Sequence, residues 1–410
     1  MTNYTPEYKV TINGIEQTSV TLTNGSITFG RNDFFEPTQP SYCNLEILNL
    51  DGTSPDIGLL DAVIIEVKDT TGAWVKLFTG EVSGVYNRIA AAGVAGQPNT
   101  MQIQAVGALG LLVKRNAGGV AYPEELDGAR IQRILEETLY TAWEDLSATL
   151  TWNDIDASVT WQNYGVQGID VIDAGRYEVL ARSAEIVPAY TLTDLTSNTG
   201  LGYLYETTAG NIGYADAERR SENYATNQIN LDADLLNADI ATRLQTADIV
   251  NSVVIQYDDP VQEVGAENPT SINDYGLLQD VRSTILAETT DANEQASNFV
   301  NYRGTPRTSL EEISLNLANG NMSDATRNAL LDVSMDSLIA LTNLPVGLFD
   351  SGIFEGFVEG WTWTLGRKNL ELTMSVSNSI YSTLDVQWED YNATIQWQNL
   401  PNDYTWLDVV

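Results

Sequence analysis

Between Val10 and Gly107 apolar and polar residues alternate in short runs, each ended by a turn signal, and this pattern restricts the chain more than any other feature. Val10 and Ile12 precede Asn13-Gly14, Ile27 and Phe29 precede Gly30-Arg31-Asn32, and Cys43, Leu45 and Ile47 precede Asp51-Gly52. A period of two puts one set of side chains on a buried face and the other toward water, while Asn-Gly and Asp-Gly pairs supply hairpin turns. With further runs at Ala62–Val67, Trp74–Val82 and Met101–Val106, the segment holds about six or seven strands. That is enough for a small closed or split barrel.

Helical spacing takes over after Asp127-Gly128. Ile131, Ile134, Leu135 and Leu139 recur three and four residues apart, with Arg130, Arg133, Glu136 and Glu137 on the other side, which predicts a helix over 129–142. A second helix is expected over Arg176–Ile186, carrying Val179 and Leu180 inward and stopping before Pro188. Alternation returns at Leu204-Tyr205, at Ile212-Gly213-Tyr214 and over Asp248–Tyr257, with helix-like stretches near Asp291–Asn301 and Ser323–Leu330. The expected class is β-rich α+β, with two small β-barrels of similar topology joined by an α/β segment. The boundaries read as 1–114 for the first β-barrel, 115–247 for the α/β middle region, 248–385 for a second β-barrel with helical decoration, and 386–410 for a C-terminal extension.

Six of the nine tryptophans fall nine residues apart in two runs, Trp143, Trp152, Trp161 and Trp388, Trp397, Trp406. Nine residues divide into a five-residue strand and a four-residue turn. Ala148/Leu150/Trp152, Ala157/Val159/Trp161 and Ala393/Ile395/Trp397 share one face at i, i+2, i+4, and Asn153-Asp154 and Glu389-Asp390 suit the turns. Such short β-meanders are marginal in water alone, so the six indoles are expected to pack against the protein's own barrels or a neighbouring copy. Docking of another protein and stacking on a sugar are the alternatives.

Composition closes off several functions. Twenty Lys and Arg against 56 Asp and Glu, with no histidine, give a net charge of −36. A surface this negative repels phosphate backbones, which argues against nucleic-acid reading. Without histidine, Ser-His-Asp and Cys-His catalysis and His-containing metal sites are impossible within the chain. Carboxylate pairs such as Asp154/Asp156 and Asp258/Asp259 are ordinary neighbours among so many acids, and no twelve-residue calcium loop is present. Thr199-Gly200-Leu201-Gly202 and Ala92-Gly93-Val94-Ala95-Gly96 lack the context and lysine of a phosphate loop. Cys43 shares a strand face with Leu45 and Ile47 and is expected to be a buried core thiol. No catalytic, cofactor or metal residue is expected, and no run reaches the about 18 apolar residues of a membrane span.

Val10-Thr11-Ile12-Asn13-Gly14, Phe29-Gly30-Arg31, Pro40–Ile47 and Leu77–Val82 follow one another in an order that resembles the first barrel of tail hub proteins, the baseplate hub or tail-tip proteins of long-tailed bacterial viruses. Gly202–Tyr214 is similar to the hairpin between their barrels. Asp248-Ile249-Val250-Asn251-Ser252-Val253 looks like the start of their second barrel, followed by Ser271, Tyr275-Gly276 and Phe357-Val358-Glu359-Gly360-Trp361-Thr362-Trp363. The resemblance covers roughly 10–385. It implies a non-enzymatic structural virion protein, a homotrimer whose two barrels per subunit alternate in a pseudo-sixfold ring. That ring would join the sixfold tail tube, through a distal tail or tube protein, to threefold tip fibre or receptor-binding proteins. It would also form part of the DNA exit channel, at the tail tip of a particle assembled in the host cytoplasm. DNA would pass without specific binding, since a negative lumen repels it. A carbohydrate-binding receptor-recognition protein of the tail tip is the alternative.

Overall fold

The structure, a computed structural model, describes residues 4–18, 20–34, 36–49, 56–89, 99–139, 168–224, 226–237, 240–310, 312–349 and 352–382. The alternating segments of the first hundred residues form strands: β1 (Tyr8–Ile12), β2 (Ile15–Glu16), β3 (Val20–Gly30), β4 (Gln39–Asn49), β5 (Ala62–Lys68), β6 (Trp74–Ile89) and β7 (Asn99–Val106). They pair antiparallel in the order β1-β5-β6-β7-β4-β3. Ile27, Phe29, Leu45, Ile47, Val63, Ile65 and Ile103 point to one face and are buried, as the period of two requires. Cys43 lies among them, fully buried, and its burial pushes the thiol up.

The middle region runs α1 (Leu109–Lys114), β8 (Asn116–Ala117), β9 (Glu125–Leu126), α2 (Asp127–Leu139), β10 (Ile169–Ile172), β11 (Glu178–Val179), β12 (Val187–Pro188), α3 (Ala189–Thr199), β13 (Tyr203–Glu206), β14 (Ile212–Ala215) and α4 (Arg219–Glu222). The helix read from Ile131, Ile134, Leu135 and Leu139 is α2, and these side chains are buried against α3 and the β13–β14 hairpin. The helix expected over Arg176–Ile186 is absent. Val179 pairs with Glu125 and bridges to Leu286, so its apolar side chain serves a strand. Pro188, extended at ψ 131°, starts α3 where it was expected to end a helix. A proline lacks the N–H that a first helical turn does not use, so it opens a helix as readily as it stops one.

The remainder comprises β15 (Gln228–Asp232), β16 (Thr242–Arg243), β17 (Ser252–Tyr257), β18 (Gln262–Glu267), α5 (Pro269–Tyr275), β19 (Gln279–Ser283), α6 (Thr289–Arg303), β20 (Ser309–Leu310), β21 (Ile313–Asn316), α7 (Asp324–Leu331), β22 (Leu338–Thr342), β23 (Phe354–Gly366) and β24 (Leu370–Asn378). The helix-like stretches near 291–301 and 323–330 are α6 and α7, the latter capped by the Ser323 hydroxyl accepting from the Thr326 N–H. Strands β17, β18 and β19 form a sheet of their own, whose Val253, Ile255 and Tyr257 pack on Phe299 and Val300 of α6.

The later strands join the first set. The large sheet runs β15-β22-β23-β3-β4-β7-β6-β5-β1-β2, with β24 and β21 on the far side of β23. Strand β23 changes neighbour along its length. Phe354–Phe357 pair with β22, and Gly360–Gly366 pair with β3 on the same edge. Two small barrels were expected; among the described residues no ladder closes the path into a ring, and the strands of 248–385 divide among this sheet, the β17–β19 sheet and the short β16–β20 pair. Trp361 and Trp363 are buried in the core so formed, and Trp361 stacks on Phe29 with centroids 4.9 Å apart.

Candidate functional site at the seam and ends of the large sheet

The point where β23 leaves β22 for β3 is built around Glu359, a fully buried carboxylate. Its backbone carbonyl accepts from the Arg31 N–H at 2.9 Å, and the Val358 N–H donates to the Ser337 carbonyl at 3.0 Å, so the strand is held to both neighbours across the change. The ladder bulges here, between Val358 and Gly360, which turns the Glu359 side chain inward. Arg31 Nε and Arg220 Nη1 each donate to it at 2.7 Å, and the Ser377 hydroxyl donates as well. Arg220 also reaches the carbonyls of Met335 and Val358 and lies over the Tyr203 ring. Burial alone would raise the Glu359 pKa, but the two guanidiniums overcome it and hold the carboxyl down at about 2.

Gly30 and Gly360 make this approach possible. Gly30 sits at φ 82° and faces the Glu359 carbonyl, and a methyl group on Gly360 would overlap the Arg31 carbonyl. The sequence carried one signal of the site that the reading above did not use. Glu359 is the lone charge in the run Phe357-Val358-Glu359-Gly360-Trp361, and a charge inside an apolar strand needs a buried partner.

A second buried carboxylate, Asp127, opens α2. It accepts from the Tyr177 N–H at 3.0 Å and from the Tyr214 hydroxyl, with no cation on it. Burial outweighs these bonds and pushes Asp127 up to about 7. Glu206, accepting from the Ser41 and Leu109 N–H groups, is likewise raised by burial.

At the two ends of the large sheet, apolar side chains face outward in groups. Beside β1 and β2 these are Ile15, Leu59 and Leu60, and in the β22–β23 connection near β15 they are Val346, Leu348 and Ile353. In a chain of net charge −36, such groups at opposite ends of one sheet are candidate contact surfaces.

Trp143, Trp152, Trp161, Trp388, Trp397 and Trp406 lie outside the described residues, as do Asp154 and Asp156. Asp258 and Asp259 shape the β17–β18 turn, where Asp258 accepts from the Asp259 N–H and from Gln262. Glu124, Glu178 and Glu288 bring carboxylate oxygens within 4.8 Å of one another, an arrangement that an acidic surface produces without a metal. No helix among the described residues is long and apolar enough to cross a membrane.

This β-rich α+β chain, organised on one large and mostly antiparallel sheet with a helical middle region, is similar in fold to solved structures of tail proteins. The structure is similar to the 43 kDa tail protein of prophage MuSo2 from Shewanella oneidensis, with a TM-score of 0.57 and 13% identity over 92% of this chain and 99% of that one. It is similar to a tail protein from Neisseria meningitidis MC58, at TM-score 0.58 and 10% identity over 92% of this chain and 98% of the other. Prophage tail protein gp18 from Listeria monocytogenes EGD-e gives 0.51 and 9% over 91% and 95%. At the level of sequence, neither a protein-family model nor a curated protein matches the chain.

Proposed function

We propose that this chain is a structural protein of a phage-type tail, a trimeric hub at the tail tip that links the tail tube to tip or receptor-binding proteins and lines part of the DNA exit path. The observation that carries the reading is the fold likeness to tail proteins, one of them from a prophage, which spans 92% of this chain and 98 to 99% of two of them. Within one copy the two parts of the sheet already meet edge to edge through β3 and β23. A ring of three copies then needs one further kind of contact, between the β1–β2 end of one copy and the β15–β22 end of the next. Two different surfaces meeting head to tail is the heterologous contact that closed cyclic symmetry uses. The exposed apolar groups at both ends support it. The acidic excess suits a channel that DNA traverses without sticking, and the role requires no catalytic group.

Sedimentation and low-resolution imaging of the purified chain test this reading, with a threefold ring expected. Three copies gather three times the −36 of one chain, so association should strengthen as salt rises from low to physiological values. Leu60→Glu or Val346→Glu should leave a folded monomer. A monomer in the wild type that is retained on host polysaccharide would replace the hub with a carbohydrate-binding protein of the tail tip.

A further inference from the structure

Between the β13–β14 hairpin of the middle region and the large sheet lies a cavity of about 270 Å³. Asp170 of β10, Glu206 at the end of β13, and Asp332 and Asp336 between α7 and β22 line it, and its described lining holds no Lys or Arg. Arg219, which lies nearby, is held by Asp173 at 2.6 Å and reaches Asp336 only at 3.5 Å. Glu206 accepts from the Ser41 and Leu109 N–H groups, and Asp336 accepts from the Tyr203 hydroxyl. Asp170 and Asp332 have no hydrogen bond or ion pair among the described residues. Burial raises the carboxyls of Glu206 and Asp332, as it does where no cation of the chain answers the charge.

A second observation comes from Trp361, which borders the same cavity. It is 4% exposed, and its indole N–H has no acceptor among the described residues. Unpaired buried donors are rare because each forfeits its hydration. The space equals roughly nine waters at about 30 Å³ each. Water alone leaves the carboxylates without a counter-charge and wets Leu331, Val333 and Met335, which supply apolar wall. An anion is repelled by the four acids. A metal ion needs several oxygens converging on one point, and among the described residues the one set of three carboxylates that close together, Glu124, Glu178 and Glu288, lies elsewhere. Spread carboxylates beside an apolar wall match a cation on an aliphatic stem, whose methylenes cover the wall while its head meets the charge. A hydroxyl or carbonyl on the same molecule accepts from Trp361.

We infer that this cavity binds an aliphatic primary ammonium group accompanied by one hydrogen-bond acceptor, brought either by a free amino alcohol or by a lysine of another protein. The cavity is complete within one copy, so its test does not depend on the trimer.

The experiment titrates the full chain with aminopentanol and with Nα-acetyl-lysine methylamide, against pentanol, sodium chloride and calcium chloride at matched ionic strength, followed by calorimetry and thermal unfolding. A saturable heat is expected from either amine, with Tm rising by about 2 °C at about a hundredfold excess over the half-saturating concentration. Tighter binding of the lysine amide assigns the group to another protein's side chain, tighter binding of aminopentanol to a free amine, and both sustain the site. Asp170→Asn should raise the half-saturating concentration about tenfold, the loss of one charge-assisted contact. Asp332→Asn, at an exposed position with no partner to lose, should raise it about threefold and guards against a misfolded variant. Trp361→Phe keeps a ring on Phe29 and should abolish the preference for aminopentanol over pentylamine. Asp274→Asn, an exposed acid on α5, should change nothing. No saturable heat from either amine, an equal response to pentanol, displacement of the amine by calcium, or amine binding unchanged in both Asp170→Asn and Asp332→Asn overturns the inference.

Discussion

Glu359 and Asp127 are both buried carboxylates held by hydrogen bonds, yet their proton affinities move in opposite directions, to about 2 and about 7. Glu359 faces two guanidiniums and a hydroxyl, whereas Asp127 has a tyrosine hydroxyl and a backbone N–H. Neutral donors soften the loss of water around a carboxylate, but full cations reverse it. The seam of the large sheet is thus a charged lock that is satisfied when ionised. The start of α2 is a polar joint that favours its proton.

The widest gap between them should appear on truncation. Glu359→Ala leaves Arg31 and Arg220 buried without their partner and should cost about 3 to 5 kcal/mol in denaturant unfolding. A loss below 1 kcal/mol would mean that water reaches the seam. Gly30→Ala, forced to φ 82° against the Glu359 carbonyl, should cost about 2 to 3 kcal/mol. If it does not, β3 and β23 can part without penalty.

The pH dependence sharpens the contrast. The Glu359 pKa is lower folded than the ordinary 4.5, so its contribution is complete above that value and disappears as pH falls toward about 2. The Asp127 pKa is higher folded than the ordinary 3.8, so the stability tied to its proton is full below that value and fades as pH rises through about 7. Asp127→Asn should therefore flatten the slope between pH 4 and 7 and spare the protein about 2 to 3 kcal/mol of the stability that the wild type loses between pH 5 and pH 8. An unchanged slope in unfolding curves taken across that range would put the titration elsewhere. The smallest effect belongs to Tyr214→Phe, about 1 kcal/mol at pH 8, where the ionised Asp127 loses its strongest donor.

Much of the strand content was legible, because Ile27/Phe29 and Cys43/Leu45/Ile47 write their buried face directly into the sequence. Ile131, Ile134, Leu135 and Leu139 did the same for α2. Periodicity failed at Val179 and Leu180, where a few apolar residues satisfy either period, and Pro188 reads the same at the start of a helix as after its end. It could not foresee that β23 would leave β22 for β3, since Thr28 and Thr362, whose hydroxyls meet at 3.1 Å, are 334 positions apart. Glu359 was hidden among 56 acidic residues. Only its apolar neighbours on either side set it apart, and its two arginine partners, Arg31 and Arg220, come from separate stretches of chain.

That separation sets a schedule for biosynthesis. A ribosome adds about 5 to 20 residues per second, so β3 waits on the order of half a minute for β23 to be made. Until then one edge of β3 offers free N–H and C=O groups to any passing strand. Thr23, Asn24, Ser26 and Thr28 give that strand a polar face during the wait. A message cut short before the codons of Phe354–Gly366 would release a chain whose β3 edge never finds its partner. Such products should be sought in inclusion bodies and protease digests, while the finished chain stays in solution.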